Sequence, residues 1–150
     1  MTEILFYHLD RQPLEKVLPT LLEKSLERGW RVVVQAASKE RIESLDAQLW
    51  TFSDDSFLPH GTVHEPQAQE QPILLTIEAD NPNGASVRFL LEGAEVPADA
   101  ASYQRIVLIF DGGDADAVAA ARARWSEAKA SGHEVTYWQP DEDGRWQRKA

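Results

Sequence analysis

Cysteine is absent from this chain of 150 residues. With it go disulfide staples, thiolate zinc centres and a cysteine nucleophile. Cations are scarce as well: 15 Lys and Arg stand against 25 Asp and Glu, a formal charge of −10 at pH 7. Such a field repels phosphate backbones at long range and argues against strong direct binding of nucleic acid. No apolar run approaches the roughly 18 residues needed to cross a bilayer, and the opening MTEILFYHLD has no basic segment or cleavage signal. The expectation is a cytosolic chain that does not associate with membranes. Glycine-rich phosphate loops are missing too. Neither G-x-x-x-x-G-K-[ST] nor G-x-G-x-x-G occurs, and the first apolar run passes straight into Asp10-Arg11-Gln12-Pro13, which offers no row of backbone amides for a pyrophosphate.

What is present is the alternation of strand and helix signals expected of one α/β domain covering residues 1–150, with 43% apolar residues to fill its core. Ile4-Leu5-Phe6-Tyr7-His8-Leu9 reads as a strand buried on both faces. Leu14, Val17, Leu18, Leu21, Leu22 and Leu26 recur at helical spacing up to Gly29, with Pro13 suited to a first turn. Pro19 either kinks this helix or marks its true start. Further strands are read at Arg31–Ala36, Ile73–Ile77, Val87–Leu91, Tyr103–Phe110 and Glu134–Trp138, with helices from Lys39 to about Trp50 and from about Ala115 to Ser131. The turn formers Asp80-Asn81-Pro82-Asn83-Gly84 suggest that the strands on either side of them are sheet neighbours. Thr51 to Gln71 reads as a long irregular loop, and residues 141–150 as a charged tail free to fray. The fold class is therefore a doubly wound, mainly parallel sheet with helices on both faces, like nucleotide-binding folds but without their phosphate loop.

Several residues could carry chemistry in such a fold. Asp111, Asp114 and Asp116 cluster where a parallel strand ends, and with Asp10 they admit a magnesium-dependent phosphoryl-receiver or hydrolase-like reading. The simpler reading is stronger: Gly112-Gly113 makes the turn, Asp114 caps the next helix and Asp116 sits at its positive end. His60 and His64 have a spacing that would bind zinc on a helix, but Pro59, Gly61 and Pro66 break any helix there. His8 and His133 read as structural. No metal or cofactor is expected, and no reaction is required of the chain.

Two aromatic clusters are more informative. In the third helix Val118, Ala121, Trp125 and Ala128 form one stripe, and Arg122, Trp125, Ser126 and Lys129 share an adjoining face. An aromatic flanked by two cations would suit a carboxylate with an apolar neighbour. A tryptophan at the edge of the core with solvated neighbours is the alternative. The second cluster, Leu49-Trp50-Thr51-Phe52 and Phe57-Leu58-Pro59-His60, either anchors an interface or seals the sheet edge. A third possibility uses the tryptophans as stacking platforms for single-stranded nucleic acid, against which the net charge counts.

Across these segments the sequence resembles the chi subunits of bacterial DNA polymerase III. The resemblance rests on Ile4 to Leu9, Gly29-Trp30-Arg31-Val32, the run Leu45 to Phe52 and Ser56-Phe57-Leu58-Pro59-His60, and it extends over essentially the whole chain. It implies a non-catalytic subunit of the polymerase holoenzyme that joins the clamp loader, through the partner subunit psi or an equivalent, to single-stranded-DNA-binding protein. By the same resemblance Trp50 and Phe57 belong to the clamp-loader partner surface. Arg122, Arg124, Trp125 and Lys129 belong to the pocket for the acidic C-terminal tail of single-stranded-DNA-binding protein. Ser126 departs from the pattern, standing where better-known members carry a lysine.

Overall fold

In the computed structural model β1 (Glu3–Leu9), α1 (Leu14–Glu27), β2 (Val32–Gln35) and α2 (Lys39–Thr51) come first. They are followed by β3 (His60–Thr62), β4 (Ile73–Thr76), β5 (Val87–Leu91), β6 (Arg105–Asp111), α3 (Ala115–Ala130), β7 (Glu134–Pro140) and β8 (Trp146–Arg148). The structure describes residues 2–10, 12–51, 60–62, 68–91, 96–97 and 99–150, with the backbone alone at positions 50 and 51.

One sheet of eight strands runs in the order β3-β4-β2-β5-β6-β1-β7-β8, parallel throughout except for the antiparallel pair β7 and β8. The helices pack on its two faces, so the doubly wound α/β class read from the sequence is the class observed. Alternate strand residues divide between two cores, as the pleat requires. Leu5, Val34, Leu75, Phe89 and Ile109 meet the leucine-rich sides of α1 and α2. Ile4, Phe6, Val33, Ile106 and Leu108 meet α3, which contributes Ala121 and Ala128. The small residues on α3 let that helix lie close to the sheet.

α1 forms because Leu14, Val17, Leu18, Leu21 and Leu22 are all buried along one stripe. It begins just after Pro13 and continues through Pro19, which excludes a start at the second proline. The helix ends in a reciprocal pair of backbone bonds, Trp30 N–H to Ser25 C=O at 3.1 Å and Gly29 N–H to Leu26 C=O at 2.9 Å. That closure needs the left-handed φ of 79° at Gly29, which a side chain would strain.

Two expectations need correction. β4 and β5 are not neighbours, because β2 lies between them and pairs Val33 with Leu74 on one side and Arg88 on the other. Both strands run in the same direction, so the turn-rich segment between them is a crossing over β2 and no hairpin forms. In the segment read as a charged tail, β8 returns along β7. There the Asp141 carboxylate accepts the backbone N–H groups of Asp143 and Arg145 at 2.9 and 2.8 Å, closing a turn inside a highly charged stretch.

Arg88 is fully buried within β5. Its guanidinium donates to Gln35 Oε1, to the carbonyls of Glu78 and Asp80, and to the Tyr103 hydroxyl. These oriented dipoles satisfy the charge and tie the crossing segment down over β5.

Candidate interaction site on α3

α3 starts where Asp114 Oδ1 accepts from the N–H groups of Asp116 and Ala117, at 3.0 and 3.3 Å. This cap sets the rotation of the helix and hence what faces the sheet. Ala121 and Ala128 go inward, and Trp125 lies half-buried between them and solvent, its ring edge-on to Phe6 at 5.5 Å. Lys129 places its ammonium 5.0 Å from the Trp125 ring centroid, a cation over an aromatic face. Arg122 is exposed, one turn back along the same side. Among the described residues neither Arg122 nor Lys129 has a carboxylate partner.

Beneath them β7 supplies Tyr137, which lies edge-on to Trp125 at 5.9 Å. Its hydroxyl shares a 2.6 Å hydrogen bond with His8 Nδ1. Burial pushes the Tyr137 hydroxyl pKa above its ordinary 10.0, and the positive charge of Arg122 opposes that shift. The Arg122 charge therefore acts toward the half-buried floor. His8 in turn fills the space over Gly112, where a Cβ would come within 1.8 Å of His8 Nε2. Chemically the arrangement is a cationic rim around an aromatic floor, suited to holding an acidic group with an apolar neighbour.

Arg122, Trp125 and Lys129 are thus brought together, whereas Arg124 turns away. It pairs with Glu127 at 3.2 Å and lines a different cleft. Tyr137 was missed in the sequence, and His8, read there as structural, is the residue that supports it. The alternation along Val135, Thr136, Tyr137 and Trp138 was the available signal, since it places Tyr137 and Val135 on one face. By its backbone Trp50 lies in the last turn of α2, and Phe57 lies outside the described residues.

The cleft lined by Arg124 has a volume of about 780 Å³ and opens at the carboxyl ends of β1 and β6, where α/β folds usually bind ligands. Three of its four acids, all but the exposed Asp116, are occupied locally. Asp111 Oδ1 accepts from Gly113 N–H at 2.8 Å, Asp114 caps α3, and Glu15 holds Arg41 at 2.8 Å. Among the described residues no group of three or more His, Asp or Glu is placed to hold a metal ion. His60 Nε2 lies 3.0 Å from Asp46 Oδ1 and so ties β3 to α2. His64 lies outside the described residues. Among the described residues no helix is long and apolar enough to cross a membrane.

Residues 1–136 match the family described as DNA polymerase III chi subunit, HolC. A probable DNA polymerase III subunit chi from Rickettsia prowazekii is 31% identical over 74% of this chain and 71% of its own length. DNA polymerase III subunit chi from Pseudomonas aeruginosa is 31% identical over 50% of this chain and 54% of its own length.

Proposed function

Since the chain belongs to the family of DNA polymerase III chi subunits, we propose that it joins the clamp loader to single-stranded-DNA-binding protein by protein contacts alone, in the bacterial cytosol. Its place as a replication subunit follows from the family; the two partners and their surfaces are the proposal. The observation that carries it is the α3 rim, where two cations without acid partners among the described residues flank a half-buried tryptophan. An acidic tail ending in an aromatic residue sets its carboxylates against Arg122 and Lys129 and its ring beside Trp125 and Tyr137. Charge-assisted pairing orients the tail, and apolar burial supplies much of the affinity. Lys129 provides the second cation on a face where position 126 is serine. Arg124 stands further round the helix and adds only long-range charge. Trp50 and Phe57 anchor the clamp-loader partner, psi or its equivalent.

Calorimetry with a peptide of the single-stranded-DNA-binding-protein tail tests the rim. Arg122→Ala and Trp125→Ala each weaken binding by about tenfold or more, roughly 1.4 kcal/mol, and added salt weakens the wild type more than the arginine variant. In the same series Trp50→Ala and Phe57→Ala release the clamp-loader partner yet retain the tail. Equal tail affinity in wild type and both α3 variants would sink the assignment.

A further inference from the structure

Across the sheet from α3, a groove of about 820 Å³ lies between α1 and the β7–β8 hairpin. Six of the chain's 15 Lys and Arg line it, against two of its 25 acids, Glu3 and Glu134. The groove is therefore locally positive in a protein of net negative charge. Helical spacing is the cause: Lys16, Thr20, Lys24 and Arg28 stand four residues apart and form one ridge along α1, beside the leucine stripe that enters the core. The hairpin supplies the facing wall, with Arg145 next to Gly144. A Cβ on Gly144 would lie 2.8 Å from Gln12 Nε2, so hairpin and loop nearly touch at that end of the groove.

The floor is aromatic. Tyr7 and Trp138 stack at 6.2 Å, and Trp146 from β8 meets Tyr7 edge-on at 4.8 Å. At the other end the turn after Gly29 delivers Trp30, over which Arg28 and Arg105 lie at 5.2 and 5.1 Å. Arg105 is held by Glu3 at 2.8 Å. Lys16, Lys24, Arg28 and Arg145 have no acid partner among the described residues.

We propose that this groove docks an acidic peptide segment of a partner protein, its carboxylates against Lys16, Lys24, Arg28 and Arg145 and its apolar side chains on Tyr7 and Trp146. Unpaired cations above a half-buried apolar floor complement alternating acidic and apolar side chains. Single-stranded nucleic acid fits less well. Stacking needs a free aromatic face, whereas Tyr7 and Trp138 face each other and Trp30 lies beneath guanidinium groups. Burial is the main cause that raises the Tyr7 hydroxyl pKa above 10.0, with Arg105 and Arg28 opposing it, so positive charge reaches the groove floor. The site lies on the opposite face from Trp125 and does not depend on the tail assignment.

The test is a titration of the full chain followed by the indole N–H resonances of its tryptophans. The probes are a short, end-blocked peptide alternating aspartate with leucine and, separately, an oligothymidylate. The peptide should move the Trp30 and Trp146 signals. Lys24→Glu with Arg28→Glu should weaken it at least about tenfold, and Arg122→Glu should change its affinity by less than about twofold. Should the double reversal disturb folding, Lys16→Gln with Lys24→Gln gives the same loss in milder form. The proposal is overturned by silence of Trp30 and Trp146, by a response confined to Trp125, by equal loss in Arg122→Glu, or by tighter binding of the oligothymidylate.

Discussion

The cleft at the carboxyl ends of β1 and β6 and the groove along α1 are nearly equal in size, about 780 and 820 Å³, yet they differ in how their charges are engaged. The cleft occupies the position where doubly wound folds usually bind ligands. Three of its four carboxylates nonetheless serve backbone amides or an arginine, and an imidazole fills the space above its glycine turn. The groove has no special place in the topology, but four of its cations lack acid partners among the described residues. Position in a fold offers a site; uncommitted bonding capacity is what a ligand can use.

The sharpest way to break this contrast is at Gly112. If the turn were kept open for a ligand, Gly112→Ala would be tolerated. With His8 packed against it, the added methyl must displace the imidazole and break its bond to Tyr137, at a cost of about 2 kcal/mol in urea unfolding. Wild-type stability in that variant would show the space to be free.

A smaller effect is expected at Asp114. Removing the cap in Asp114→Ala should cost about 1 kcal/mol, while Asp114→Asn, which caps equally well, should cost almost nothing. An asparagine variant as unstable as the alanine variant would mean that the charge itself matters, as it would at a metal site.

The smallest effects lie in the pH dependence, and the two clefts respond at opposite ends of the scale. A hydrogen bond from its own backbone amide is the main cause holding the Glu15 carboxyl below its ordinary 4.5; burial opposes this, and Arg41 adds to it. A lowered pKa gives stability that is present above pH 4.5 and lost as pH falls through the folded value. Tyr7 in the groove is raised above 10.0, so its contribution is complete below pH 10.0 and lost as pH rises through the folded value. Melting midpoints measured against pH should fall less steeply on the acid side in Glu15→Gln and on the alkaline side in Tyr7→Phe. An alkaline limb unchanged in Tyr7→Phe would assign that loss to Tyr137, whose pKa is raised as well.

Long apolar runs such as Ile4 to Leu9 and Ile106 to Phe110 were legible as central strands because strands covered on both faces need apolar side chains at nearly every position. β3 and β8 were not, being three residues each, with polar and charged members suited to the sheet edges where they lie. On α3 the spacing of Arg122, Trp125 and Lys129 alone places them on one side, since helical geometry is local. Their floor could not be found that way. Tyr137 and His8 come from strands separated by 129 residues in sequence and meet only because β7 pairs with β1.

By itself the amino-acid sequence determined the types of the longer elements, the two-faced α/β class, the lack of phosphate-loop motifs, the family and the charged rim of α3, because each depends on local periodicity or on residue identity. Tertiary structure alone decided that β2 separates β4 from β5, that Arg124 faces a different cleft from Trp125, and that Lys16, Lys24, Arg28 and Arg145 share one groove. Those facts depend on strand order and on which face each helix covers. Such long-range choices are settled by the burial of the whole apolar surface at once, and no single segment records them.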